Sequence, residues 1–307
     1  MTGLREIAED YLRMRRALGY KLKVSGRQLE QFVSYLEQTE ATTVTIENAV
    51  AWATSAGTNR AYCAQRLSVV RQFARHLQNI DPACEVPPAQ LMPHTMSRAT
   101  PYLYEPEEIA ALMRAASALE PALVAATYQT LIGLLAVTGL RLGEAVRLDR
   151  GDVDARNRLL RIVDSKFGKS REVVLHDSTM HALGEYGRLR DRSFPGPRCD
   201  ALLVSVQGTR LAIPTIHWRF ARLVRVAELK PRSPRCRPRP HDFRHAFAVR
   251  TLLDWYRDGV DVQARLPLLS TYLGHVNPAS TFWYLSAAPE LLELVAGRLD
   301  STMEGLA

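Results

Sequence analysis

The sequence predicts a mainly α-helical protein with one small β-sheet, divided into a helical N-terminal domain and a larger α+β domain. Three observations carry this. Apolar residues recur at helical spacing along most of the chain. Two short β-rich runs flank a Gly-containing loop within 159–175. A stretch with five prolines, Pro82, Pro87, Pro88, Pro93 and Pro101, sustains no period. We read domains at 1–81 and 102–307 joined by a linker at 82–101, and the 307 residues leave room for a hydrophobic core in each.

The elements follow in order. Leu4, Ile7, Ala8, Tyr11 and Leu12 line one face of a first helix, and Leu29, Phe32, Val33 and Leu36 a second. Thr45 is placed to N-cap a short third helix carrying Val50, Ala51 and Trp52. A fourth, starting near Thr58, carries Tyr62, Leu67, Val70, Phe73, Ala74 and Leu77. Past the linker, a helix over 105–119 has its acids at the N-terminal end, where the helix dipole favours them. A long apolar helix over 122–137 stops at Thr138-Gly139, with Gly139 suited to a left-handed C-cap. Strands over 159–163 and 172–175 form a hairpin, and helices return at about 178–191, 214–229, 242–257, 265–273 and 278–286.

Charge is unevenly distributed. The net charge is +8, yet residues 207–250 alone hold 11 Lys and Arg against 2 acids. A clustered basic surplus points to a polyanion, of which a phosphate backbone is the commonest. No acid lies between Glu47 and Asp81, where Arg60, Arg66, Arg71 and Arg75 fall, so the fourth helix offers either a DNA-facing side or an ordinary solvated one. The N-terminus has no apolar signal core, and the run 123–140 is interrupted by Thr127, Tyr128, Gln129, Thr130 and Thr138, as suits a buried helix. Cys63, Cys84, Cys199 and Cys236 show no CxxC spacing. We therefore expect neither disulfides nor a zinc site, and a cytoplasmic location.

Four separated segments each offer a phosphate-binding or proton-transferring group. Thr138-Gly139-Leu140-Arg141-Leu142-Gly143-Glu144 sets Arg141 just past a helix stop. His241-Asp242-Phe243-Arg244-His245 puts His241 and Arg244 three apart, on one helix face. Leu273-Gly274-His275 precedes Tyr284 by nine residues, counted from His275, and Lys166 stands at the hairpin tip.

With these motifs in this order the sequence resembles the tyrosine recombinases, the family of the phage-type integrases. The resemblance spans nearly the whole chain and is nearer to members carried by plasmids and transposable elements. It implies a helical core-binding domain followed by an α+β catalytic domain. Tyr284 would attack a scissile DNA phosphate, giving a 3′-phosphotyrosyl intermediate and a free 5′-hydroxyl, without metal, ATP or other cofactor. Arg141 and Arg244 would clamp the non-bridging oxygens, since a guanidinium presents a planar donor fork. Lys166 would protonate the departing 5′ oxygen, with Lys169 and Arg171 as competitors for that role, as backbone contacts or as part of a solvated turn. His241 would assist proton transfer at the tyrosine, and His275 would hydrogen-bond the phosphate. Arg60, Arg71, Lys169, Arg171, Arg219, Arg222, Arg235, Arg237 and Arg239 are expected to hold DNA backbone.

Two departures from the common pattern are Phe243, where Leu is frequent, and Ser286, where a second His often follows the Tyr. Glu144 reads as a packing or pairing residue, His245 as buried, and Tyr256 and Tyr272 as core. The resemblance further implies a tetramer acting on two duplexes, with the apolar tail 287–307 docking on a neighbour or on its own subunit. A non-catalytic DNA-binding regulator and a type IB topoisomerase-like enzyme are the alternatives. A metal-dependent nuclease fits poorly, because Glu228 and Asp242 are the only acids in 207–250.

Overall fold

The computed structural model describes residues 3–57, 59–92, 99–163, 170–196, 198–275 and Thr281. The chain divides into two compact units, Met1–Arg98 and Ala99–Ala307.

The first unit is built from α1 (Leu4–Ala17), α2 (Lys23–Gln38), α3 (Ile46–Thr54) and α4 (Arg60–Leu77). Thr45 caps α3 as expected: its side chain accepts from the Asn48 N–H while the Asn48 side chain accepts from the Thr45 N–H. Helix α4 begins two residues later than its periodicity suggests, because Asn59 supplies the cap by accepting from the Tyr62 N–H. Leu29, Phe32, Leu36, Trp52, Leu67, Phe73 and Leu77 form the core. Part of the proline-rich stretch belongs to this unit. Cys84 is buried against α4, the Glu85 N–H donates to the Val44 carbonyl, and Arg71 donates to the carbonyls of Pro87 and Pro88.

The second unit opens with α5 (Pro106–Ser117) packed on α6 (Ala122–Thr138). Helix α6 is apolar on most sides and is accordingly central, in contact with α5, α7 (Leu142–Arg147), α8 (Asp177–Ser193) and α10 (Asp242–Arg257). An antiparallel sheet of β1 (Val153–Asp154), β2 (Leu159–Ile162) and β3 (Arg171–Val174) lies between α7 and α8 in the chain, in the order β1-β2-β3. The two-residue β1 escaped the sequence reading; it is too short to show an alternation. Leu160 faces Val173 across the hairpin, both fully buried, while the next pair, Arg161 and Glu172, points the other way. The unit is completed by α9 (Ile213–Val226), α10 and α11 (Val262–Leu273). Phe243 fills its position by stacking on Tyr104, with ring centroids 4.4 Å apart, and meeting Phe220 edge-on. Tyr272 stacks on Phe247 in the smaller α10/α11 core.

Candidate active site

The site is assembled on two helix C-termini that end in the same way. Helix α6 stops at Gly139 (φ 60°) and α11 at Gly274 (φ 67°), both in the left-handed conformation that a glycine adopts without strain. Such ends present carbonyls without intrahelical partners and carry partial negative charge. Three guanidiniums take them. Arg244, on the first turn of α10, donates to the Gly139 carbonyl at 2.9 Å and to the Leu273 carbonyl at 2.6 Å, and is 1% exposed. Arg141, immediately past the α6 stop, donates to the Gly274 carbonyl at 2.9 Å. Arg171, at the start of β3, donates to the Tyr272 carbonyl at 2.7 Å.

One carboxylate balances part of this charge. Glu144 is the third residue of α7, and its Oε2 accepts from the Arg141 backbone N–H as a cap. Its Oε1 pairs with the Arg141 side chain at 2.7 Å, and Arg171 approaches both oxygens, at 3.3 and 2.8 Å. Burial alone would raise the Glu144 carboxyl, but hydrogen bonds and charge from Arg171, and then from Arg141, hold it at about 2.

Two histidines border the cluster. His241 is the N-cap of α10, keeps an accessible face, and meets His245 ring to ring at 4.9 Å. His275 follows the Gly274 turn, and its Nδ1 lies 2.7 Å from the Oγ1 of buried Thr281. Burial, reinforced by the charges of Arg244 and Arg141, lowers both imidazoles to about 4; Arg239 adds to the effect on His241 and Arg171 to that on His275. Near neutral pH both rings are uncharged, able to accept a proton or a hydrogen bond as well as donate one.

Arg141, Arg244 and His275 are thus brought together at the two glycine-capped ends, and His241 stands beside them. Lys166, Lys169 and Tyr284 lie outside the described residues. The expected backbone contacts separate into two groups. Arg60, Arg222, Arg235 and Arg237 are exposed. In the other four the guanidinium has neighbours within the protein. Arg71 holds Pro87 and Pro88, Arg171 holds Glu144 and Tyr272, and Arg239 forms a fork at 3.0 Å on buried Asp242. Arg219 is half-buried, with Cζ 5.2 Å from the Tyr128 ring centroid.

The glycine-end carbonyls and the inward turn of Arg171 are the site features that the sequence reading missed. A signal for the second was present. Side chains alternate along a strand, so Arg171 shares the core-facing side of β3 with Val173. Among the described residues no group of three or more His, Cys, Asp or Glu could hold a metal ion, and no helix is long and apolar enough to cross a membrane. A cavity of about 620 Å³ between α6 and α8, lined by Gln129, Gly133, Val137, His181 and Tyr186 among others, includes none of the clustered residues.

Residues 103–290 match the phage integrase family. The chain is 40% identical over 311 residues to y4rB of Sinorhizobium fredii, described as an integrase/recombinase, covering 99% of both proteins. It is 29% identical over 296 residues to the tyrosine recombinase XerD of Caulobacter vibrioides, covering 93% of each. Its fold is similar to that of the Tn1549 transposon integrase in complex with transposon right end DNA, with a TM-score of 0.66 at 16% identity over 96% of this chain and 98% of that one. The chain is therefore a member of the phage integrase family of tyrosine recombinases.

Proposed function

We propose that the protein is a site-specific DNA recombinase that cleaves and rejoins strands through a 3′-phosphotyrosyl intermediate, for integration, excision or transposition of DNA. The observation that carries this reading is the convergence of Arg141, Arg244 and His275 on the glycine-capped ends of α6 and α11. Segments more than 100 residues apart supply two guanidiniums and an imidazole to one place, a set of donors suited to the oxygens of a phosphodiester.

In this reading Tyr284 attacks the phosphorus and displaces the 5′ oxygen, which takes a proton from Lys166. His241, neutral before reaction, accepts the tyrosine proton, and His275 donates to a non-bridging oxygen. The charges of Arg141 and Arg244 contribute most in the pentavalent transition state, where negative charge is greatest on those oxygens. Rejoining reverses these steps with a different 5′-hydroxyl. The phosphodiester bond energy is kept in the tyrosyl ester, so the scheme needs no nucleotide hydrolysis. Exposed Arg60, Arg222, Arg235 and Arg237, with Lys169, supply backbone contacts that set affinity without reading sequence. The partners are double-stranded DNA carrying a recombination site and three further copies of the chain, in the cytoplasm.

A nicked duplex that loses the 5′-hydroxyl fragment after cleavage tests the reading. The wild-type protein forms a covalent adduct in EDTA, Tyr284→Phe forms none, and Arg141→Ala binds the duplex while losing cleavage by about a hundredfold or more. An adduct that persists in Tyr284→Phe overturns the nucleophile assignment.

A further inference from the structure

We propose that Arg171 is a positioning residue whose guanidinium neutralises the buried Glu144 carboxylate and so leaves the charge of Arg141 available to a phosphate. This inference rests on the reading of Arg141 given above. The Glu144 side chain is 2% exposed and forms ion pairs with the guanidiniums of Arg141 and Arg171. Two cations sharing one anion leave a surplus of one positive charge; without Arg171 the remaining pair is neutral.

The placement of Arg171 follows from strand parity. Val173 points into the core, so Arg171, two residues earlier, points the same way, toward α7 and α11. Its side chain is 11% exposed. A Cβ built on Gly274 would lie 2.8 Å from its Nη1, which shows how closely the guanidinium lies against the turn whose carbonyl Arg141 holds. Arg171 thus ties the end of the hairpin to the α11 turn while it offsets Glu144. A buried carboxylate that loses one of two partners draws more strongly on the one that remains. That partner is Arg141, the cation required at the phosphate.

The test combines Arg171→Met and Glu144→Gln, singly and together, in the full-length protein. Glu144→Gln removes the charge while keeping an oxygen for the Arg141 N–H. Single-turnover adduct formation at saturating duplex falls roughly tenfold or more in Arg171→Met. In the Glu144→Gln background, Arg171→Met costs less than about threefold, because no carboxylate remains to be offset. Melting temperatures give a readout independent of activity: Glu144→Gln costs less stability, or adds some, when it is made in the Arg171→Met protein. An equal effect of Arg171→Met on rate in both backgrounds overturns the proposal. If Arg171→Met fails to fold, the double variant is compared with Glu144→Gln, and a tenfold rate difference between them overturns it. A wild-type protein that forms no adduct overturns the recombinase reading instead, and the melting cycle then decides the sharing of charge alone.

Discussion

The Arg244 guanidinium donates to the Gly139 carbonyl at 2.9 Å, so a side chain of α10 secures the C-terminus of α6 across 105 residues of sequence. The same group holds the Leu273 carbonyl of α11 at 2.6 Å and is 1% exposed. A residue proposed to bind the phosphate is therefore also part of the core.

Arg244→Ala consequently confounds two effects, since it leaves two buried carbonyls without this donor and opens a cavity. It is expected to destabilise the protein by about 3–5 kcal/mol. Arg244→Lys retains the charge but cannot span both carbonyls with a planar fork, and is expected to cost about 1–3 kcal/mol. Arg141 lies nearer the surface, so Arg141→Ala costs less than Arg244→Ala while abolishing cleavage to a similar degree. Urea unfolding midpoints beside single-turnover rates check this order; equal destabilisation by the two alanines would remove Arg244 from its structural role.

The two glycine turns predict opposite balances of stability and activity. At Gly139 a Cβ would meet Phe247 Cδ1 at 2.6 Å, and φ is positive, so Gly139→Ala combines backbone strain with overpacking of an aromatic ring. The expected loss is about 2–4 kcal/mol. At Gly274 the nearest atom is the far end of Arg171, which can move, leaving a strain of about 1–2 kcal/mol. That movement takes Arg171 from Glu144, so Gly274→Ala loses more adduct formation for each unit of stability lost. Thermal melts and adduct rates on the pair measure the contrast. A Gly139→Ala protein as stable as wild type would show that Phe247 yields freely.

Much of this architecture was legible because local chemistry and tertiary packing agree. Thr45 and Gly139 act where their caps predict, and the Arg141, Arg244 and His275 segments meet at the glycine-capped helix ends. The readings that changed concern long cations. An arginine reads as a surface charge, whereas its fork can satisfy carbonyls or carboxylates that become neighbours only on folding. Arg239 on Asp242 and Arg171 on Glu144 are such cases, and for Arg171 the alternation of β3 held the information. The partners of Arg71, Pro87 and Pro88, lie 16 and 17 residues away in a segment whose prolines read as a linker.

Acid sensitivity follows from the two lowered imidazoles. His241 and His275 sit near 4 in the folded protein, below the ordinary value near 6.5. As pH falls through 6.5 the unfolded chain takes up protons that the folded chain refuses until about 4, so stability decreases across that window and is complete above it. Glu144, held at about 2, loses its contribution only as pH falls from the ordinary carboxylate range toward that value. His275→Gln is expected to flatten the decrease between about pH 7 and 5. Urea midpoints at the two pH values check it, and an identical pH dependence in wild type and variant would refute the assignment to His275.

The arginines of α4 are expected to separate by role despite their common charge. Arg66 lies within the first unit, 7% exposed, with Cζ 3.8 Å from the Trp52 ring centroid. Its removal takes away a desolvated cation–π contact and the packing of its stem, for an expected loss of about 2 kcal/mol or more. Arg60 is the first residue of α4 and exposed, where the helix dipole opposes a cation. Arg60→Ala is expected to leave stability within about 0.5 kcal/mol of wild type. If Arg60 meets a DNA phosphate, the same substitution lowers duplex affinity and reduces the slope of log K against log salt by about 0.9, whereas Arg66→Ala leaves that slope unchanged. Melting curves and salt titrations on both variants decide it. A reduced slope in Arg66→Ala would mean that the Trp52 stack opens on DNA, and an unchanged slope in Arg60→Ala would remove α4's first residue from the DNA-facing surface.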